Sequence, residues 1–178
     1  MKEVRVLDKS FREYISEDEI VRRIDELAEK INSDYKGREV LFLGILNGAF
    51  LFAAELFKRI KLNARISFVK LASYEGTGSS GTVKELIGWN EDISNMEVII
   101  TEDIVDTGMT LERIYDELRI RKVAGIKVAT LLFKPDAFTR DIPVDYVGFE
   151  IPNKFVIGFG LDYNGFARNL SSIYILNT

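Results

Sequence analysis

At 178 residues, with 47% hydrophobic and 29% charged side chains, the chain can bury about two-thirds of the surface its unfolded form would expose, so a single domain over 1–178 is expected. A net charge of −4 and the absence of any basic run argue against nucleic-acid partners, and no apolar stretch approaches the ~20 residues of a membrane helix. With no His and no Cys, Ser-His-Asp and Cys-His triads, His or Cys zinc sites and disulfides are all excluded.

Acid–base chemistry must therefore fall to carboxylates, lysine, tyrosine or the substrate. The N-terminal "MKEVRVLDKSF" is charged and lacks the apolar segment of a signal peptide, so a cytoplasmic location is expected. Next, "ISEDEIVRRIDELAEKINSDYKG" predicts an amphipathic helix. Ser16 is its N-cap, Glu19 completes a capping box, Ile20, Ile24, Leu27 and Ile31 share one face, and Gly37 stops it. "EVLFLGIL", Glu39 to Leu46, is an apolar run of strand length, and "NGAFLFAAELFKRI" reads as a turn into a helix.

"ARISFVKLASY" predicts a strand that leads into the Gly/Ser-rich "EGTGSSGT", after which "VKELIGW" returns as a second strand, forming an arm or flap. The strand "EVIITEDI", the helix "TLERIYDELRIRKV" and the strand "GIKVATLLFK" follow. Strands that are apolar throughout are buried on both faces, which predicts an α/β fold with a mostly parallel central sheet flanked by helices. Beyond Pro135 the short strands "YVGFEI", "FVIGFGLDY" and "SIYIL" predict a small subdomain beside that sheet.

The turn "TEDIVDTGMT" carries the chemistry, because ligands of open α/β sheets bind beyond the carboxyl ends of strands. Asp106, Thr107, Gly108, Met109 and Thr110 can present successive backbone N–H groups, two hydroxyls and a helix N-terminus to a terminal phosphate. No Gly-Lys-Ser/Thr follows and Gly-x-Gly-x-x-Gly is missing, so this is neither a nucleotide-hydrolysing loop nor a dinucleotide fingerprint. Taken alone, Asp106 and Thr110 would be helix caps. Two adjacent acids, Glu102 and Asp103, at the end of an apolar strand favour a site, since uncompensated charge is costly there.

"VIITEDIVDTGMTL" resembles the purine phosphoribosyltransferases, specifically the hypoxanthine-guanine enzymes, and the resemblance extends through "LGILNGAF", "SYEGTGSSG", the lysine ending "LLFK", and "VGFEIPNKFVIGFGLDYNGFARNL". It implies a type I phosphoribosyltransferase-like fold with a flexible lid at about 73–82 and a hood built largely from a C-terminal base-binding segment at about 135–178. It implies Mg²⁺-dependent transfer of a 5-phosphoribosyl group from phosphoribosyl pyrophosphate to N9 of hypoxanthine or guanine, by a homodimer or homotetramer. In that reading Asp106 accepts the purine's proton, the 106–110 loop holds the 5′-phosphate, and Glu102, Asp103 and Asp162 serve the metal. Asn47, Gly48 and Arg168 would hold pyrophosphate, and a strained or cis peptide is implied between Leu46 and Asn47.

By the same resemblance Lys134 meets the purine O6, Phe155 stacks on the base, Val156 and Asp162 read its edge, and Ser73 and Tyr74 belong to the lid. Asn47 stands where the family usually has lysine, which removes a positive charge. Each of these residues alone has an ordinary reading, as turn, salt bridge, strand-end lysine or core aromatic. A regulator of the same fold that binds nucleotide without turnover is the alternative, and a phosphoacceptor signalling domain fails to explain "DTGMT" or the "FVIGFGLDY" tail.

Overall fold

Strands that need apolar cover on both faces organise the molecule. The computed structural model describes residues 2–71, 85–87 and 92–177. In chain order the elements are β1 (Glu3–Val6), β2 (Lys9–Ile15), α1 (Glu17–Asp34), β3 (Glu39–Leu46), α2 (Phe50–Phe57), β4 (Asn63–Leu71) and β5 (Glu85–Ile87). Then come β6 (Glu97–Val105), α3 (Met109–Ile120), β7 (Gly125–Phe133), β8 (Tyr146–Glu150), β9 (Val156–Ile157) and β10 (Ile173–Leu176).

Six strands make the main sheet in the order β5-β4-β3-β6-β7-β8, with every pairing parallel except that of β4 with β5. From β3 the chain moves outward to β4, then returns past β3 to β6 and continues to β7 and β8. Strand order thus reverses between β3 and β6, and the crevice at their carboxyl ends is where such sheets take ligands. Side chains alternate between faces along each strand. Val40 and Phe42 pack with Ile20, Ile24, Phe52 and Leu56 of α1 and α2, whereas Leu41, Leu43, Val98 and Ile100 pack with Leu111, Ile114 and Leu118 of α3.

The helix expected after Ile15 is α1. The Ser16 hydroxyl accepts the Glu19 N–H at 3.4 Å while the Glu19 carboxylate accepts the Ser16 N–H at 2.9 Å, and Ile20, Ile24, Leu27 and Ile31 are buried. The return strand expected from "VKELIGW" is β5, which pairs antiparallel with β4. Ser73 and Tyr74 lie outside the described residues. Among the described residues, no helix is long and apolar enough to cross a membrane.

The tail differs from expectation in two ways. Tyr146–Glu150 does not join the small subdomain but extends the main sheet parallel to β7. Within "FVIGFGLDY" only Val156 and Ile157 are strand, because Gly158, Phe159 and Gly160 all have positive φ, which takes the backbone out of a ladder. The hood is a four-stranded antiparallel sheet in the order β1-β2-β10-β9, so half of it comes from the N-terminus. Two short C-terminal strands cannot make a stable sheet alone. β10 finds its partner in β2, and Phe11, Ile157, Ala167 and Tyr174 form the hood's own buried cluster.

Candidate active site

The alternation that places Val98 and Ile100 toward α3 and Ile99 toward α1 and α2 sends Glu102 and Asp103 to opposite faces, and it breaks just beyond them, where Ile104 joins the α1 and α2 core and Val105 the α3 core. Glu102 is only 9% exposed, and its Oε2 has no hydrogen-bond partner. Burial first, and the neighbouring Asp103 charge second, push its pKa well above the usual carboxylate range. Asp103 is raised to about 6, because burial outweighs the backbone N–H bonds of Ile104 and Asp103 and the attraction of Arg168, while Asp162 adds repulsion. Two strained acids at a strand end suit a ligand that brings positive charge or hydroxyl donors.

On the α3 side, Glu102 and residues 104–111 line a cavity of about 90 Å³. Gly108 is the α3 N-cap at φ 84°, a left-handed conformation, and a Cβ there would press into the Phe138 ring and the Arg140 stem. Lacking a side chain, it caps nothing, and Met109 N–H makes only a long 3.5 Å contact with the Thr107 hydroxyl. First-turn amides therefore remain available to an anion. Asp106 does not cap the helix; its carboxylate accepts from the Lys134 ammonium at 2.9 Å, and Lys134 is only 7% exposed.

On the other side, the Leu46–Asn47 peptide is cis. Asn47 is exposed. A Cβ on Gly48 would overlap the Asp103 carboxylate, and a Cβ on Gly160 would overlap the Gly48 carbonyl. Gly48 is thus held between β6 and the hood loop. That loop is braced by Arg168, which donates to the Gly160 carbonyl at 2.6 Å and pairs with Asp162 at 2.6 Å, while Asp162 also accepts the Gly165 N–H at 2.6 Å. Overpacking typically costs about 1–3 kcal/mol. Gly48→Ala is expected to destabilise the fold by that amount, read as a lower denaturant midpoint with an unchanged slope.

Two groups of expected residues therefore flank the end of β6: Glu102, residues 106–110 and Lys134 on one side, and Gly48, Asp103, Asp162 and Arg168 on the other. Val156 is buried and joins the core of α1 and α2. Phe155 stays 43% exposed beside Phe11 and Tyr163, with ring centroids 6.2 and 5.9 Å away. Gly160, Tyr163 and the N-terminal hairpin were not expected in this region. The alternating "EVRVLDKSFREYI" carried the signal for the hairpin.

Oxygen-only donors at Glu102, Asp103 and Asp162 suit a hard cation, and the unpartnered Glu102 Oε2 marks unused ligand capacity. Among the described residues, no group of three or more acids converges into a cage. Mg²⁺ is commonly held through one or two carboxylates, with water and substrate oxygens completing its shell.

Fold and crevice define an α/β protein built to take an anionic ligand at a topological switch point. A family profile described as the phosphoribosyl transferase domain matches residues 12–164, and the chain belongs to the phosphoribosyltransferase family. Its relatives place it among the hypoxanthine-guanine phosphoribosyltransferases. The enzyme of that name from Streptococcus agalactiae is 43% identical over 162 residues, 90% of each chain. A hypoxanthine phosphoribosyltransferase structure from Staphylococcus aureus is 39% identical with a TM-score of 0.87, covering 93% of this chain and 91% of that one. A Bacillus anthracis hypoxanthine-guanine phosphoribosyltransferase with HEPES in its active site is 36% identical with a TM-score of 0.86, covering 94% and 97%.

Proposed function

We propose that the protein is a Mg²⁺-dependent purine salvage enzyme that moves the 5-phosphoribosyl group from phosphoribosyl pyrophosphate to N9 of hypoxanthine or guanine, giving IMP or GMP and pyrophosphate. The observation that carries this reading is the pair of charge-strained acids, Glu102 and Asp103, set between an amide-lined turn and an arginine-braced loop at the switch point.

Asp106 to Thr110 hold the 5′-phosphate through backbone amides, the Thr hydroxyls and the α3 N-terminus. As the bond from C1′ to the pyrophosphate oxygen breaks, its electron pair leaves with pyrophosphate and the ribose gains oxocarbenium character. Glu102 and Asp103 stabilise that positive character and accept the ribose hydroxyls. The purine N9 forms the new bond to C1′, and Asp106 takes the proton the base gives up. Arg168 grips the departing pyrophosphate with the amides at Asn47 and Gly48. Asn47, lacking the family's positive charge, leaves more of that work to Arg168. Glu102, Asp103 and Asp162 are the acids available to a bound Mg²⁺, one or two at a time with water and substrate oxygens, and the ion would neutralise phosphate charge.

Lys134 donates to the O6 of a 6-oxopurine, where adenine presents an amino group instead, so the wrong base would strand a buried donor. Phe155 stacks on the base, and Val156 offers backbone groups to its edge together with Asp162. The protein acts in the cytoplasm as a homodimer or homotetramer. Mixing it with Mg²⁺, phosphoribosyl pyrophosphate and hypoxanthine is expected to release pyrophosphate in step with IMP. Tight binding of phosphoribosyl pyrophosphate without any release would instead identify a non-catalytic regulator of the same fold.

A further inference from the structure

We propose that Lys9, on the N-terminal hairpin, is a positioning residue of the base site, holding and polarising the aromatic pair Phe155 and Tyr163 for purine stacking. The inference rests on the reading of Phe155 as the stacking residue. A half-exposed phenylalanine has few neighbours to fix its ring, and Phe155 meets Phe11 at 44° and Tyr163 edge-on at 81°.

Over this cluster sits the Lys9 ammonium, 4.7 Å from the Tyr163 centroid and 5.8 Å from the Phe155 centroid. Both lie inside the range of about 6 Å at which a cation is held by an aromatic face. Asp8 anchors the same tyrosine from its other end, its carboxylate accepting the Tyr163 hydroxyl at 2.8 Å. Neither contact is left to a loose loop: Val6 pairs with Lys9 across a two-residue turn, with Leu7 at φ 53°, so the hairpin fixes where both side chains begin.

Tyr163 in turn is pinned by paired backbone bonds with Phe166, at 3.0 and 3.1 Å. Its immediate neighbour is Asp162, which pairs with Arg168. The lysine therefore links the hairpin to the loop that carries both a base-edge residue and the pyrophosphate arginine. A cation on these rings also withdraws electron density, which favours stacking against an electron-rich purine.

Steady-state kinetics of Lys9→Met, Lys9→Arg and Phe155→Ala with hypoxanthine and phosphoribosyl pyrophosphate test the proposal. Loss of an exposed cation–π contact corresponds to roughly a two- to fivefold change. Lys9→Met is expected to raise the hypoxanthine KM by that factor, with kcat and the phosphoribosyl pyrophosphate KM unchanged and the thermal midpoint lowered by no more than about 4 °C, and Lys9→Arg is expected to restore it. A normal hypoxanthine KM in Lys9→Met, alongside a raised one in Phe155→Ala, would overturn the role of Lys9 and leave the base site intact. Equal rises for both substrates, or no rescue by arginine, would also overturn it. No effect of Phe155→Ala would remove the base-site reading itself, and the proposal with it.

Discussion

Asp106→Asn is expected to lower kcat by roughly 10²–10⁴-fold, the usual contribution of a positioned general base, while leaving phosphoribosyl pyrophosphate binding largely intact. The amide matches the carboxylate in size and still accepts a hydrogen bond, so the 106–110 turn keeps its shape. It has no basicity to take the purine's proton. The substitution has a second consequence, because Lys134 is nearly buried and its ammonium is paired with this carboxylate at 2.9 Å. Removing one partner of such a pair leaves the other uncompensated. The double variant Asp106→Asn/Lys134→Gln separates the two effects: it removes the stranded charge but restores no base. Because Lys134→Gln also alters the base site, the Lys134→Gln single variant is the reference: if kcat in the double variant stays far below that single variant, the loss belongs to proton transfer. An unchanged kcat in Asp106→Asn would exclude the residue as the proton acceptor.

The same pairing shows how much could be read from the chain alone. β3 and β6 were legible because runs such as "EVLFLGIL" have only one economical burial, between two helical layers. α1 was legible to its capping box, since that motif and the four isoleucine and leucine positions are local features. The turn from β6 into α3 followed from its residues and its place after an apolar strand. What escaped depended on distant partners. The Lys134–Asp106 contact spans 28 residues, and the bond between Tyr163 and Asp8 spans 155. β8 reads locally like any short tail strand, and only the open edge of β7 decides that it joins the main sheet. The N-terminal hairpin was passed over because its alternation is short and heavily charged, although β10 needs it as a partner. The departure at Asn47 was visible at once, but its exposed position beside Gly48 required the folded backbone.

Metal-free Asp103→Asn is expected to be more stable than the parent at pH 7, by about 1–3 kcal/mol, and to show a weaker pH dependence in the mildly acidic range, the remainder belonging to buried Glu102. The sign follows from proton binding. Asp103 moves from an ordinary value of 3.8 to about 6 on folding, so between those values the folded state holds more protons than the unfolded one. Parent stability therefore falls as pH rises through that window, and above it the penalty of the buried charge is present in full. A shift of that size corresponds to about 3 kcal/mol at most, and the partial exposure of Asp103 makes this an upper bound. Glu102 is raised in the same direction partly by the Asp103 charge, so the amide also relaxes its neighbour. Urea unfolding of parent and variant at pH 4, 5, 6 and 7 checks this, and parallel pH curves would show that Asp103 is not the strained group. Adding Mg²⁺ with phosphoribosyl pyrophosphate should then raise the parent's stability more than the variant's, because only the parent retains the charge that ligand binding satisfies. Stability would thus be gained at the position where substrate binding is lost, as expected where acids are held at a strand end for binding rather than for folding.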